Sequence, residues 1–228
     1  MEDNFGKSAI ILLSGGIDST TVAAIVNSNY ASDKVHALTI NYNQRHVREL
    51  ESAKAVASHY GWDHKIITLN LAQFGGSALT DPNIDVPQDG LQPGIPVTYV
   101  PGRNTIFFSL ALAYAEVRDA DYIYSGVNAI DYSGYPDGRP EYIRELNRLA
   151  TLSSKRAVEG NPISIKAPLI HLTKVQIIQK GISLFTPYNL TWSCYNGGDN
   201  ACGKCDSCRI RKSAFQAIGI RDPIDYES

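Results

Sequence analysis

The chain has 228 residues, 43% of them hydrophobic, enough to bury the core of one α/β domain with a small appendage. Its net charge of −2 and lack of a basic block weigh against a protein that grips nucleic acid mainly by charge, although Lys204, Arg209, Arg211 and Lys212 leave a local basic face. No run approaches the ~20 apolar residues of a membrane-spanning helix, so no membrane partner is expected.

The start, Met1-Glu2-Asp3-Asn4, is acidic and the apolar run after it is short, unlike a secretory signal. The expected location is the cytoplasm, where the four cysteines would not form disulfides. Residues 9–13 (Ala-Ile-Ile-Leu-Leu) have strand length and β-branched content. They lead into Leu13-Ser14-Gly15-Gly16-Ile17-Asp18-Ser19-Thr20-Thr21, then Val22, Ile25 and Val26 at helical spacing. A strand, a glycine turn and a helix N-terminus make an anion site, because first-turn N–H groups lack intrahelical partners. Gly15 and Gly16 permit close approach of the backbone to a phosphate, and Ser14, Ser19 and Thr20 add hydroxyl donors. The loop lacks the terminal Gly-Lys-Ser/Thr of a Walker loop, and Asp18 is placed to hold Mg²⁺ or to order the turn.

Residues 35–42 predict a second strand, 46–60 a helix, and 65–71 a third strand. Alternating strands and helices predict a parallel sheet with helices on both faces, and ligands at the carboxyl ends of its strands. Tyr42, Gln44 and Arg45 fall at such an end. Residues 72–102, with Pro82, Pro87, Pro93, Pro96 and Pro101, break the pattern and read as a substrate-covering loop. The stretch 106–115 is apolar all round apart from Ser109 and predicts a buried central helix capped by Asn104 or Thr105. Arg103 then precedes a helix start that faces the phosphate loop, where phosphate contact explains an arginine better than the dipole does.

A fourth strand over 121–127 leads into a loop rich in groups that can read a flat polar ligand. Tyr132 and Tyr135 can stack, Asp131 and Asp137 can accept hydrogen bonds, and Arg139 can clamp a carboxylate. Residues 141–158 read as a helix, 163–167 as a fifth strand, and Thr173 as the cap of a helix whose Lys174 can reach ATP phosphates. Cys194, Cys202, Cys205 and Cys208 fall within fifteen residues. Four thiolates without an open position suit one structural Zn²⁺ per chain. A ferredoxin-type cluster run ends in Cys-Pro, whereas Cys208 is followed by Arg209.

The Ser14-Gly15-Gly16-Ile17-Asp18-Ser19 string resembles the signature of the PP-loop ATP pyrophosphatases. Taken in order with Tyr99-Val100-Pro101-Gly102-Arg103-Asn104, Gly126-Val127-Asn128, the run from Asp131 to Asp137 and the cysteine tail, it resembles the 7-cyano-7-deazaguanine synthases of the queuosine pathway. Gly138 departs from that family, many members of which have cysteine after Pro-Asp. The resemblance implies a Rossmann-like fold, a parallel five-stranded sheet over 1–187, and a helical four-cysteine zinc segment over 188–228. It implies ATP with Mg²⁺, 7-carboxy-7-deazaguanine and ammonia as reactants, and adenylated acid and amide on the way to a nitrile. Asp18, Lys174 and Arg103 become the expected catalytic residues, and Leu13 to Thr21 the ATP loop. Tyr42, Arg45, Asn104, Asp131, Tyr132, Tyr135, Asp137 and Arg139 become the expected substrate contacts.

Nucleic acid is not an expected partner, and a homodimer is compatible with the sequence. The competing readings are a tRNA-modifying PP-loop enzyme, a deazapurine-acid ligase with another acceptor, and a nucleotide- and zinc-binding sensor.

Overall fold

The computed structural model describes residues 6–45, 47–87, 94–130 and 135–227; Asp131 and Tyr132 lie outside them. In chain order the regular elements are β1 (Ala9–Leu12), α1 (Ile17–Asn27), β2 (Val35–Asn41), α2 (Arg48–His59), β3 (Asp63–Thr68) and α3 (Arg103–Val117). Then come β4 (Tyr122–Tyr124), α4 (Pro140–Ser153), α5 (Lys155–Val158), β5 (Ser164–Lys166), α6 (Lys174–Ser183) and α7 (Asp206–Ala217). The five strands form one sheet in the order β3-β2-β1-β4-β5, every neighbouring pair parallel.

Successive strand residues point to opposite faces, so β1 feeds two cores. Ala9 and Ile11 join Val22 and Val26 of α1, Val56 of α2, Ile177 of α6 and Phe215 of α7. Ile10 joins Phe108 and Ala111 of α3 and Ile143 and Leu146 of α4 on the other side. A strand buried on both faces reads as a continuous apolar run, as 9–13 does.

The expected buried central helix needs correction. α3 buries only Phe108, Ala111 and Ala115 among its residues, and Val117 is 81% exposed. Its uniform apolarity covers the sheet with one face and leaves the rest half-buried. Neither Asn104 nor Thr105 caps it; Gly102 is the N-cap, in a left-handed conformation, and Arg103 is the first helical residue. Thr173 does cap α6, through a reciprocal box with Gln176. β4 is shorter than the expected 121–127: Ser125 makes a last bond to the Lys166 carbonyl at 3.0 Å, and the chain leaves the sheet after it.

Cys194, Cys202, Cys205 and Cys208 form a separate buried cluster with Ala78, Val86 and Trp192. Arg211 of α7 is 1% exposed and ties this segment to the rest. It donates to both oxygens of Asp222, at 2.7 and 2.8 Å, to Thr191 Oγ1 at 2.8 Å and to the Tyr188 carbonyl. No helix among the described residues is long and apolar enough to cross a membrane.

Candidate functional site

The chain runs from β1 outward to β3, then returns to lay β4 on the other side of β1. This reversal opens a crevice at the carboxyl ends of the two strands, where open parallel sheets bind ligands. A cavity of about 290 Å³ fills it. Its walls include Ser14, Gly16, Asp18 and Ser19 of the phosphate loop together with Tyr42, Gln44, Glu49, Arg103, Asn104 and Tyr135.

The loop is built for an anion. Gly16, the N-cap of α1, makes no side-chain cap, so the first-turn N–H groups stay available. Ser14 and Ser19 hydroxyls bond each other at 3.0 Å, and Ser19 Oγ also takes the Ser14 N–H at 3.2 Å. Gly15 has φ +82°, and a Cβ there would lie 2.6 Å from the backbone of α2 at Glu49 and Ala53. A Cβ on Gly126, after β4, would lie 2.8 Å from Ser19 N. Glycine at both positions lets α2 and β4 close on the loop from either side.

Asp18 and Lys174, 156 residues apart, meet across the cavity edge: Lys174 Nζ donates to both carboxylate oxygens, at 2.6 and 2.8 Å. The lysine is 11% exposed, and the α6 cap sets its position in the first turn. Leu13, Ile17, Tyr42, Asn104 and Tyr135 line the same cavity. Gly15, Thr20 and Thr21 lie behind the lining: Thr20 is fully buried, and Thr21 Oγ1 meets Tyr188 OH at 2.7 Å.

Arg103 sits 5.8 Å from the ring centres of both Tyr42 and Phe107, which are themselves 5.5 Å apart. Burial pulls its pKa down, but Tyr42, Tyr135 and Asp137 outweigh that and hold it above its usual value. Burial pushes the Tyr42 phenol up to about 12.

Three expected substrate contacts are not in the cavity lining. Arg45 donates to the carbonyls of Ala78, Ile84 and Pro82, pinning the proline-rich segment. Asp137 is 6% exposed and accepts the Asn104 backbone N–H at 3.0 Å, while Asn104 Nδ2 donates back to the Asp137 carbonyl. Arg139 is exposed and donates to the Pro136 carbonyl. Gly138, by contrast, does line the cavity.

Sequence reasoning missed Glu49, an ordinary-looking acid in the first turn of α2. It lines the cavity, and burial pushes its carboxyl up to about 7 despite the pull of Arg103. Trp192, Ser193, Tyr195 and Arg211 were also missed as cavity walls. Trp192 is fixed there by donating its backbone N–H to the Gly15 carbonyl at 3.0 Å.

The four cysteine sulfurs all lie within 4.8 Å of one another, buried and without disulfides. Tetrahedral Zn–S bonds of about 2.3 Å place sulfurs about 3.8 Å apart, close to the 4.0 Å between Cys202 and Cys208. Backbone N–H groups of Asn196 and Cys202 point at Cys194 Sγ, and those of Lys204 and Cys205 at Cys202 Sγ. Donors aimed at sulfur suit thiolate, so the donor set fits a metal ion.

A family model described as queuosine biosynthesis protein QueC matches residues 8–219. A protein of Ralstonia pickettii named 7-cyano-7-deazaguanine synthase is 54% identical over 223 residues, covering 96% of this chain and 99% of the relative. One of the same name from Acinetobacter baylyi is 53% identical over 230 residues, covering 99% of each. Among solved structures, a 4-thiouridine synthetase–RNA complex with bound ATP is similar at 18% identity, with a TM-score of 0.53, over 94% of this chain and 51% of that one. The U34-tRNA thiolase NcsA from Methanococcus maripaludis is similar at 16% identity, with a TM-score of 0.50, over 93% of this chain and 64% of that one. At such identities these two likenesses speak to the fold alone.

Proposed function

The chain belongs to the family of the queuosine biosynthesis protein QueC, and from that membership we propose that it converts 7-carboxy-7-deazaguanine and ammonia to 7-cyano-7-deazaguanine, consuming ATP. The observation that carries the proposal is identity above 50% across nearly the whole chain to proteins bearing that synthase name. The single cavity that joins a phosphate loop to a chamber of flat and polar side chains supports it.

A carboxylate resists attack because its leaving group would be an oxide. Its oxygen attacks the α-phosphorus of ATP, pyrophosphate departs, and the acid becomes an acyl adenylate. Ammonia adds to the carbonyl carbon, AMP leaves, and an amide forms with loss of one proton. The amide oxygen then takes AMP from a second ATP with release of pyrophosphate. Loss of that AMP and of the remaining amide protons leaves the nitrile. Both adenylations use one phosphate site, so the protein acts chiefly by positioning and charge stabilisation.

The uncapped N–H groups of α1 with Ser14 and Ser19 hold the pyrophosphate portion. Lys174, paired with Asp18 in the free protein, is placed to donate to the departing phosphates, and Asp18 would be the residue to hold a Mg²⁺ ion. A Mg²⁺ bound with ATP would supply Lewis-acid neutralisation of the phosphate charge. Arg103, Asn104, Tyr42 and Tyr135 enclose the deazapurine. The four cysteines would hold one Zn²⁺, which would serve the fold rather than the chemistry. The protein works in the cytoplasm, where thiolates stay reduced.

Mass spectrometry of products from ATP, Mg²⁺, ammonium and 7-carboxy-7-deazaguanine tests the proposal. The nitrile and two AMP per turnover are expected; an amide end product or AMP without a deazapurine product sinks it. Lys174→Met should lower turnover by about a hundredfold or more.

A further inference from the structure

The cavity contains one carboxyl group for which the reaction above has no use. Glu49 is the second residue of α2, and its backbone packs directly on Gly15, so the helix start is locked to the phosphate loop. Glu49 lines the same cavity as Arg103 and Tyr42, and its charge acts on both. It makes no hydrogen bond and no ion pair among the described residues. Of the other acids considered for the site, Asp18 is engaged by Lys174 and Asp137 by the Asn104 backbone, while Asp131 lies outside the described residues.

A half-buried carboxylate on a cavity wall, with no protein donor engaged, keeps its acceptor capacity for a ligand that brings donors. Those donors must sit on something flat, because the flanking surface is the Tyr42–Phe107 ring pair with the Arg103 guanidinium against it. A 2-amino-4-oxo pyrimidine ring has the matching edge, with a carbonyl oxygen, a ring N–H and an amino group in a row. A carboxylate accepts from the last two together, and a neighbouring guanidinium donates to the first.

We propose that Glu49 accepts hydrogen bonds from the ring N–H and the 2-amino group of the deazapurine, with Arg103 donating to the adjoining carbonyl, and that Glu49 selects substrates carrying that amine. This rests on the deazapurine reading of the cavity. It assigns to α2 the edge recognition that the sequence suggested for Asp131 or Asp137.

Calorimetric titration decides it. The full-length protein and its Glu49→Gln variant would each be titrated with 7-carboxy-7-deazaguanine, with its analogue lacking the 2-amino group, and with ATP. The parent protein should bind the amino compound at least tenfold more tightly than the analogue. In Glu49→Gln that preference should collapse to about threefold or less, through weaker binding of the amino compound, with ATP affinity unchanged. A preference that survives the substitution overturns the proposal, because the amine is then read elsewhere. Equal losses for all three ligands overturn it too, since Glu49 would then be supporting the loop. A raised KM for ammonium with intact deazapurine affinity would also overturn it, by assigning the carboxylate to ammonia. Failure of the parent protein to bind either deazapurine would bring down the substrate reading itself, a result none of the other outcomes can mimic.

Discussion

The carboxyl of Glu49 shows how a single side chain can set a pH dependence for the free protein. Its ordinary value is 4.5, and burial raises it to about 7 in the folded state. Below pH 4.5 it is protonated in both folded and unfolded chains and has no effect on stability. Between about 4.5 and about 7 the unfolded chain releases the proton while the folded one keeps it, so stability falls with rising pH, by no more than about 3 kcal/mol. Glu49→Gln removes this term. Its melting temperature should match the parent at pH 4 and exceed it at pH 8, as differential scanning calorimetry of the ligand-free proteins can measure. Nothing in the sequence marked this residue, because a glutamate in a first helical turn already has a sufficient reason in the helix dipole. Lys174 and Asp18 stood out for the opposite reason: a lysine in a first turn and an acid in a phosphate loop both run against their local setting. Their meeting at 2.6 Å depends on chain crossing that no local pattern encodes.

At the scale of the element, α3 starts where a distant loop holds it. Asp137 accepts from the Asn104 N–H and the Asn104 side chain returns the bond, so the 136–138 turn acts as the cap that Gly102 cannot provide. Asp137→Ala should fray the first turn of α3 and displace Arg103. Turnover should fall by about tenfold or more, with stability reduced by about 1–2 kcal/mol. Urea denaturation and deazapurine titration check both parts; a variant with full stability and selectively lost deazapurine binding would return Asp137 to a ligand-reading role. The strands and α1, α2 and α6 were legible because apolar period, glycine turn and capping chemistry agree there. α3 was legible as a helix but not as a half-covered one, since apolar composition cannot say which face meets the sheet. Arg45 and Arg139 illustrate the same limit: an arginine's chemistry is plain in sequence, but its partner can be a carbonyl of its own surroundings.

Over the whole molecule, the cysteine segment and the sheet are one structure. Phe215 and Ala214 of α7 lie in the core under β1, and the Trp192 N–H holds the Gly15 carbonyl. Metal removal should therefore reach the active site. Purified protein should contain one zinc per chain by plasma mass spectrometry, and brown protein with iron and labile sulfide would refute the zinc assignment. Cys205→Ser or a strong chelator should lower the melting temperature and weaken ATP binding together. The sheet order has a further consequence, in the time course of folding rather than in the finished structure. β1 is made first and lies in the middle, yet its partner on one side is β4, with Ile10 paired to Ile123. At roughly 5–20 residues per second of synthesis, the nascent chain carries that strand edge unpaired for roughly 6–20 s. A long-range parallel pairing is also slow to close once both strands exist. The nascent form most prone to association is therefore the β1–β3 half before α3 and β4 emerge, with the apolar faces of its central strand waiting for the second half of the protein.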